Sequence, residues 1–600
     1  MSLFSNNPMK KYRMLTPAEI AQLERQHNFS YDWSKVEVSE TFSAECFRDN
    51  VFDGHVRIGE VSPFQVSLGT VSIREGIYDS TIVDATIGDH PAIHHVRLLS
   101  GYTLGSHVTL FNVEEMTCSD DVHSFAWLES MNENGGRRIL PFSGMTIGDA
   151  YFWARYRGRK TLMQRLEEFT YTELENEGAY GLIGDYGVVK NSKAIRNVAI
   201  RSLKEDSTTI DGCILLADGV VGFGCTIEHG VMAERFLLGE HVHLEFGLRL
   251  NDSVVGDNST LARCEVGNSM IFPSHEQHHN NSFLIAALVM GQSNIAAGGT
   301  IGSNHNSRTP DGEIVASRGF WPGLCCSFKH SSRFASYCLL AKGDYSAELD
   351  IKLPFALVNN NVSKDVLEVM PAYWWRYNMY AMDRNSKKFA KRDKRVVKAQ
   401  HIEFDNLAPD TAEEILQAIV LLKEWISKSQ GEKMVYADGM ENSRRPTVIL
   451  RAEEGIKAYE EMLVYYAMKT LADVKPAGIS QHETEWINLG GQLIAKRDLE
   501  QLIADVEKGE ITGWEGIHQR IDTIWKDYPA QRLAHAYSVL CHLAGVKSLS
   551  EEQWCRFQER YKAIVSYVEE QKLLSRKKDD TNPFRQMTYW DTQERESVME

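Results

Sequence analysis

The sequence predicts a mixed β and α protein: a hexapeptide parallel β-helix with a helical insertion, followed by an α-helical C-terminal region. Three observations predict it. Aliphatic residues recur every six positions across much of residues 51–358, a spacing that suits neither an amphipathic helix nor a plain hairpin. Gly, Asn, Asp and Ser cluster between the short β-rich segments, where a chain turning a corner needs them. From about residue 364 the apolar spacing becomes helical.

Residues 1–50 read as a short helical lead-in. In TPAEIAQLERQHN, Thr16 is an N-cap candidate and Glu19 follows three places on, a capping-box pattern. The six-residue runs then begin: Ile87, Ile93 and Leu99, with a second run at Leu98, Leu104 and Leu110. They return in Leu238, Leu244 and Leu250, in Val255 and Leu261, in Val289, Ile295 and Ile301, and in Phe328, Phe334 and Leu340. Such a repeat places one aliphatic side chain inward on each side of a coil. Gly follows several of these residues, as in Ile87-Gly88-Asp89 and Val255-Gly256-Asp257, and it eases the corner. Residues 51–358 form the expected β-helix, with a helical insertion at about 147–178 and a polar loop insertion at 303–322. Residues 364–575 are expected to be helical, and 576–600 to be a loosely held tail.

The formal charge of −17 disfavours general nucleic-acid binding and anionic membranes. The start, MSLFSNNPMKKYRML, lacks the apolar core of a secretory signal, and no apolar run is long enough to span a bilayer. The ten cysteines are scattered, with no CxxC pair. These features give the expectation of a cytoplasmic protein with reduced thiols, acting on a small molecule, with neither nucleic acid nor membrane as partner.

On the six-residue runs, the chain resembles the left-handed β-helix of hexapeptide-repeat proteins. The chain as a whole resembles an uncharacterised group sometimes labelled UDP-N-acetylglucosamine pyrophosphorylase-related. A nucleotide-binding domain with a Gly-rich phosphate loop is absent from residues 1–50, so the β-helix alone carries the resemblance. It implies acyl transfer to a sugar or nucleotide-sugar acceptor, acyl-CoA as candidate donor, and a homotrimer. It also implies two alternatives: a gamma-carbonic-anhydrase-like enzyme with a histidine-bound metal, or a non-catalytic nucleotide-sugar-binding or scaffold protein.

FPSHEQHHNNSF supplies the first candidate residues. His275, His278 and His279 are the expected catalytic set, because imidazole titrates near working pH and serves as a general base. Metal ligation is the other reading, although neighbours on a strand point to opposite sides. In the loop insertion, Asn304, His305, Arg308 and Arg318 are expected to bind substrate, the arginines by forked contacts to a phosphate or carboxylate. His229, His241, His243 and Glu245 form a third histidine-rich set. In PAYWWRYNMYAMDRNSKKFAKRDKRVVK, aromatics precede a run of cations, and Trp375 and Arg376 are expected to stack a base and grip phosphates.

Overall fold

The computed structural model describes residues 12–133, 135–176, 180–302, 313–429, 434–472, 474, 485–579, 582–588, 590–591, 593–594 and 597. It is a mixed β and α protein with large, mostly parallel sheets and a helical C-terminal region.

The sheets arise from short strands stacked in a regular parallel register. One inward column runs Ile77, Ile93, Leu110, Val189, Ile210, Ile227, Leu244, Leu261 and Gln277, each residue paired with the next. From Ile210 to Leu261 each step is 17 residues. Corners fall at matching intervals. His229, Phe246 and Arg263 have φ of 60°, 54° and 56°, and Asp218, Arg235 and Asp252 have φ of 52°, 50° and 47°. The left-handed region is uncommon for residues with a Cβ, so its recurrence marks where every turn of the coil must bend.

This register corrects the hexapeptide reading. Leu238, Leu244, Leu250, Val255 and Leu261 are all buried, but their steps are six, six, five and six, and Leu238 and Val255 occupy equivalent places one turn apart. The short step also explains the spurious run at Leu98. Leu98 is only partly buried, whereas Leu99 pairs inward between Ile82 and Met116. Strict sixfold spacing returns 18 residues per turn; from Ile210 to Leu261 this chain returns 17, and the next steps on the outer face, Val254 to Met270 and Met270 to Leu288, are 16 and 18. The coil also starts earlier than expected. Phe29–Ser30 pairs with Val51 and Phe52, and Val36–Ser39 pairs with Val56–Ile58. Sides of unequal length, two residues at Phe29–Ser30 and four at Val36–Ser39, hide this first turn from a periodicity reading.

The helices of the described residues are α1 (Pro17–Arg25), α2 (Ile147–Arg155), α3 (Lys160–Asn176), α4 (Tyr373–Tyr377), α5 (Met379–Arg392), α6 (Pro409–Lys428), α7 (Ala452–Thr470), α8 (Lys496–Lys508), α9 (Trp514–Ala544), α10 (Glu551–Arg576) and the short α11 (Pro583–Gln586). Thr16 and Glu19 form the capping box of α1, and Thr146 and Asp149 form that of α2. One face of the coil turns apolar residues outward: Val220, Leu237, Val254, Met270 and Leu288. α2, α3, α8 and the start of α9 cover them in a second core containing Trp153 and Trp514. Full burial of each such side chain contributes roughly 1.5–3 kcal/mol, which holds the insertion and the C-terminal helices on the same wall. No helix among the described residues is long and apolar enough to cross a membrane.

His275, expected to be catalytic, and Arg318 and Trp375, expected to bind substrate, all lie in the interior. Arg318 is 2% exposed. It donates to both carboxylate oxygens of Asp410 at 2.8 and 2.7 Å, and to the Asp405 carbonyl at 2.9 Å, clamping the coil to the start of α6. Trp375 is buried against Tyr465 and Tyr567, with its indole N–H donating to Glu461. Its aromatic surface faces helices, not a ligand. His275 lies fully buried inside the coil. Its Nδ1 is 2.8 Å from Ser293 Oγ and its Nε2 is 3.1 Å from Gln277 Oε1. Gln277 Nε2 donates to Ser282 Oγ, so its Oε1 accepts and His275 carries the proton on Nε2. This polar layer interrupts the aliphatic column at Gln277, and His275 has no face open to a substrate.

Two outcomes follow for stability. Arg318→Met strands Asp410 without its counter-ion. The urea-derived stability is expected to fall by about 3–5 kcal/mol, and adding Asp410→Leu restores most of it; an unchanged midpoint for the single variant contradicts the clamp. Burial lowers the His275 pKa from 6.5 to about 4. The unfolded chain therefore takes up a proton in that window while the folded one does not. Stability falls as pH drops from 6.5 to about 4, by up to about 3 kcal/mol from this group. His275→Gln should flatten that part of the stability–pH curve, and an identical slope in the variant contradicts it.

Candidate functional site

The described residues meet around a cleft of about 640 Å³ where coil, insertion and C-terminal helices converge. Its walls come from the start of α2, the strap at 397–401 and the first turns of α9. A small hollow of about 20 Å³ shares Ser143, Thr146, Arg201, Ala399 and Gln400 with it and reaches back to Glu240 and Asp257 on the coil.

The strap is held from the coil side by carboxylates. Glu240 accepts the backbone N–H groups of Lys398 and Ala399 at 3.0 and 3.3 Å, and Asp206 accepts that of Val396 at 3.0 Å. Arg395 is buried, donates in a fork to Asp393, and lies 3.3 Å from Asp257. Gln400 then bridges to the insertion by accepting the Gly148 N–H at 2.8 Å. Burial raises the Glu240 pKa and Asp257 adds to that, against Arg395 and the strap amides.

An acid–histidine pair stands at the junction. Asp149, in the first turn of α2, is fully buried. Its Oδ2 accepts the Thr146 N–H and hydroxyl, each at 2.8 Å, and His518 Nε2 donates to the same oxygen at 2.7 Å. His518 lines the cleft. Burial disfavours its imidazolium, but the charge and hydrogen bond of Asp149, with Asp522 and Glu173 beyond, outweigh that and raise its pKa above the ordinary value. Fixing Nε2–H on a carboxylate leaves Nδ1 as the basic atom of the neutral ring. A second pair, His401 donating to Asp522 at 2.7 Å, lies along the same wall, with His401 stacked on Trp525.

The sequence-predicted residues fall elsewhere. His275 and Arg318 are interior, as described, and Trp375 is core. Arg376 stacks on Tyr377 at 5.1 Å and lines neither the cleft nor its hollow. His278 and His279 have rings 4.5 Å apart, and His279 lines a broad surface groove with Phe246 and Arg263. Their neighbour Glu276 is pinned by Lys388 and Arg392 of α5. Lys388 and Arg392, from the cations after PAYWW, thus grip the coil itself. Asn304, His305 and Arg308 lie outside the described residues. His241 pairs with Asp206 at 2.5 Å and His229 stacks on Phe246. Among the described residues no group of three or more His, Cys, Asp or Glu side chains is arranged to hold a metal ion.

Sequence reasoning missed the Asp149–His518 pair because 369 positions separate its members. The one local signal was the TIGD capping box, which marked a helix start without announcing a partner. GIHQRID carries a histidine at an ordinary helical spacing.

The comparisons correct the resemblance drawn from the six-residue runs. A family model described as a domain of unknown function (DUF4954) matches residues 12–426, and a second, also described as a domain of unknown function (DUF6819), matches residues 468–587. An uncharacterized protein of Treponema pallidum (strain Nichols) is 38% identical over 659 residues, covering 99% of this chain and 91% of the relative. Neither the hexapeptide-repeat grouping nor the pyrophosphorylase-related label stands beside these matches, and the expected trimer had that resemblance as its sole support. Asp149, Glu240 and His401 lie in the first matched region and His518 and Asp522 in the second, so the cleft joins the two. The chain belongs to the DUF4954 family, and the DUF6819 region behind it supplies the wall that carries His518.

Proposed function

We propose that the cleft is the catalytic site of an enzyme that removes a proton from a hydroxyl or amine of a small polar molecule, with His518 as the base and Asp149 as its orienting partner. The observation that carries this reading is the 2.7 Å bond from a cleft-lining imidazole to a fully buried carboxylate. That arrangement sets the tautomer and favours the imidazolium formed on proton transfer. A cavity of about 640 Å³ suits a sugar-sized or nucleotide-sugar-sized molecule. Acyl transfer to such an acceptor is the specific form of the proposal, since its first requirement is a base at the attacking atom. The role expected for His275, His278 and His279 passes to His518.

Two finer readings belong with it. The parallel coil is read as a left-handed β-helix, supported by its short parallel sides and the positive-φ residues that recur at its corners. A reducing compartment such as the cytoplasm is supported by ten free cysteines, most of them buried.

The test incubates the full chain with acetyl-CoA and a panel of sugars, amino sugars and nucleotide sugars, with acetylated product read by mass spectrometry. An acceptor is expected whose turnover falls by at least about 100-fold in His518→Gln with its binding kept. Asp149→Asn should cut turnover as well. Equal turnover in wild type and His518→Gln contradicts the assignment of the base, and no product from any acceptor contradicts acyl transfer.

A further inference from the structure

On the cleft and its adjoining hollow, two buried acceptor atoms have no donor among the described residues. Gln492 is 1% exposed and lines the cleft. Its Nε2 donates to the Ile521 carbonyl at 3.3 Å, which sets the orientation of the amide, and its Oε1 has no hydrogen-bond partner among the described residues. Asp257 is 2% exposed and lines the adjoining hollow. Its Oδ1 accepts the Glu240 N–H at 2.9 Å and lies 3.3 Å from the Arg395 guanidinium, while its Oδ2 has no hydrogen-bond partner among the described residues. Buried acceptors are rarely left unpaired, because nothing replaces the water they have lost. Two of them on one connected space call for a ligand that brings donors.

Charge narrows the class. Carboxylates on the lining are Glu173, Glu240, Asp257, Glu515 and Asp522, whereas its full-time cations are Arg201 and Lys398. Arg201 lies over the Phe223 ring at 4.2 Å. The balance is negative, so a cationic group gains where an anionic one is repelled. The hollow beside Asp257, about 20 Å³, has room for one group the size of a water molecule. A primary ammonium has that size, offers three donors, and accepts nothing. A hydroxyl offers one donor and no charge.

We propose that the substrate of this cleft is a small molecule bearing a protonated primary amine, with the ammonium held at Asp257 in the hollow and a second donor of the ligand at Gln492 Oε1. The proposal rests on the reading of the cleft as a catalytic site and deepens it, by naming a charged amine as the group that anchors the substrate in the hollow while His518, on the cleft wall, faces another part of the molecule.

Isothermal titration calorimetry on the full chain near neutral pH tests it, with matched probes: glucosamine against glucose, and putrescine against butanediol. At least one amine is expected to bind at least about tenfold more tightly than its alcohol counterpart, as a charge-assisted contact to a buried carboxylate requires. Asp257→Asn removes the charge at nearly constant shape and is expected to erase that preference. Because Asp257 also faces Arg395, Gln492→Met provides a second variant that leaves this contact intact; it should weaken the amine by several-fold in a chain of wild-type stability. Alcohols binding as tightly as amines overturn the proposal, as does water alone in the hollow with no amine bound. So does an amine preference that persists in both variants. None of these outcomes decides the role of His518, which is read separately from the turnover of His518→Gln on hydroxyl acceptors.

Discussion

The regular parallel return of the chain, 17 residues per turn from Ile210 to Leu261, is the constraint on which the rest depends. Each pass from Ile210 to Ile227 to Leu244 to Leu261 satisfies the backbone of the turn before it and stacks one aliphatic residue on the last. Once that register is set, everything at equivalent positions lines up. The left-handed corners form columns, and outward residues of one face form an apolar strip from Val220 through Leu237 and Val254 to Leu288. A strip of that kind must be covered, and the helices that cover it are drawn from distant parts of the chain. The catalytic proposal is a consequence: α2 brings Asp149 to the strip from the insertion, α9 brings His518 to it from the C-terminal region, and the two meet.

Buried ion pairs then decide how the covering elements sit. Arg318 fixes the start of α6 through Asp410, Arg395 fixes the strap through Asp393 and Asp257, and Arg532 of α9 reaches Glu403 and Asp405 at 3.1 and 2.6 Å. A buried pair adds little net stability over an apolar contact, but a broken one is costly. Such pairs therefore act best as a demand for one arrangement. Here they demand that the segment from 393 to 410 run over the coil in one path, and that path forms one side of the cleft. The same economy explains the cationic end of α5, where Lys388 and Arg392 close on Glu276 and are not left to a ligand.

The sequence made the repetitive part of this architecture legible and left the site obscure. A short strand with one inward aliphatic leaves a mark every five or six residues, so runs such as Leu238, Leu244 and Leu250 can be read by eye. The five-residue third side could not, because one missing residue among many irregular corners looks like noise. The helical insertion from about residue 147 was legible too, since helical spacing is local. The partnership of Asp149 with His518 was not, because it is made only by packing. Local richness misled in the other direction. His275 sits in the most histidine-dense stretch of the chain, yet it is the ring that seals the interior of a turn. Arg318 looked like an anion clamp because a guanidinium beside a polar loop usually is one, and its carboxylate partner lay 92 positions away.

If the cleft works as described, the electrostatics of one imidazole carry its central claim. The His518 pKa, followed by NMR of selectively labelled histidine in the full chain, tests it most directly. The account predicts a value above the ordinary histidine range in the wild type, because Asp149 favours the charged ring, and a fall in Asp149→Asn, where burial acts without its counterweight. A His518 that titrates at the same pH in both proteins would contradict the coupling, and with it the assignment of the pair as the working part of the site.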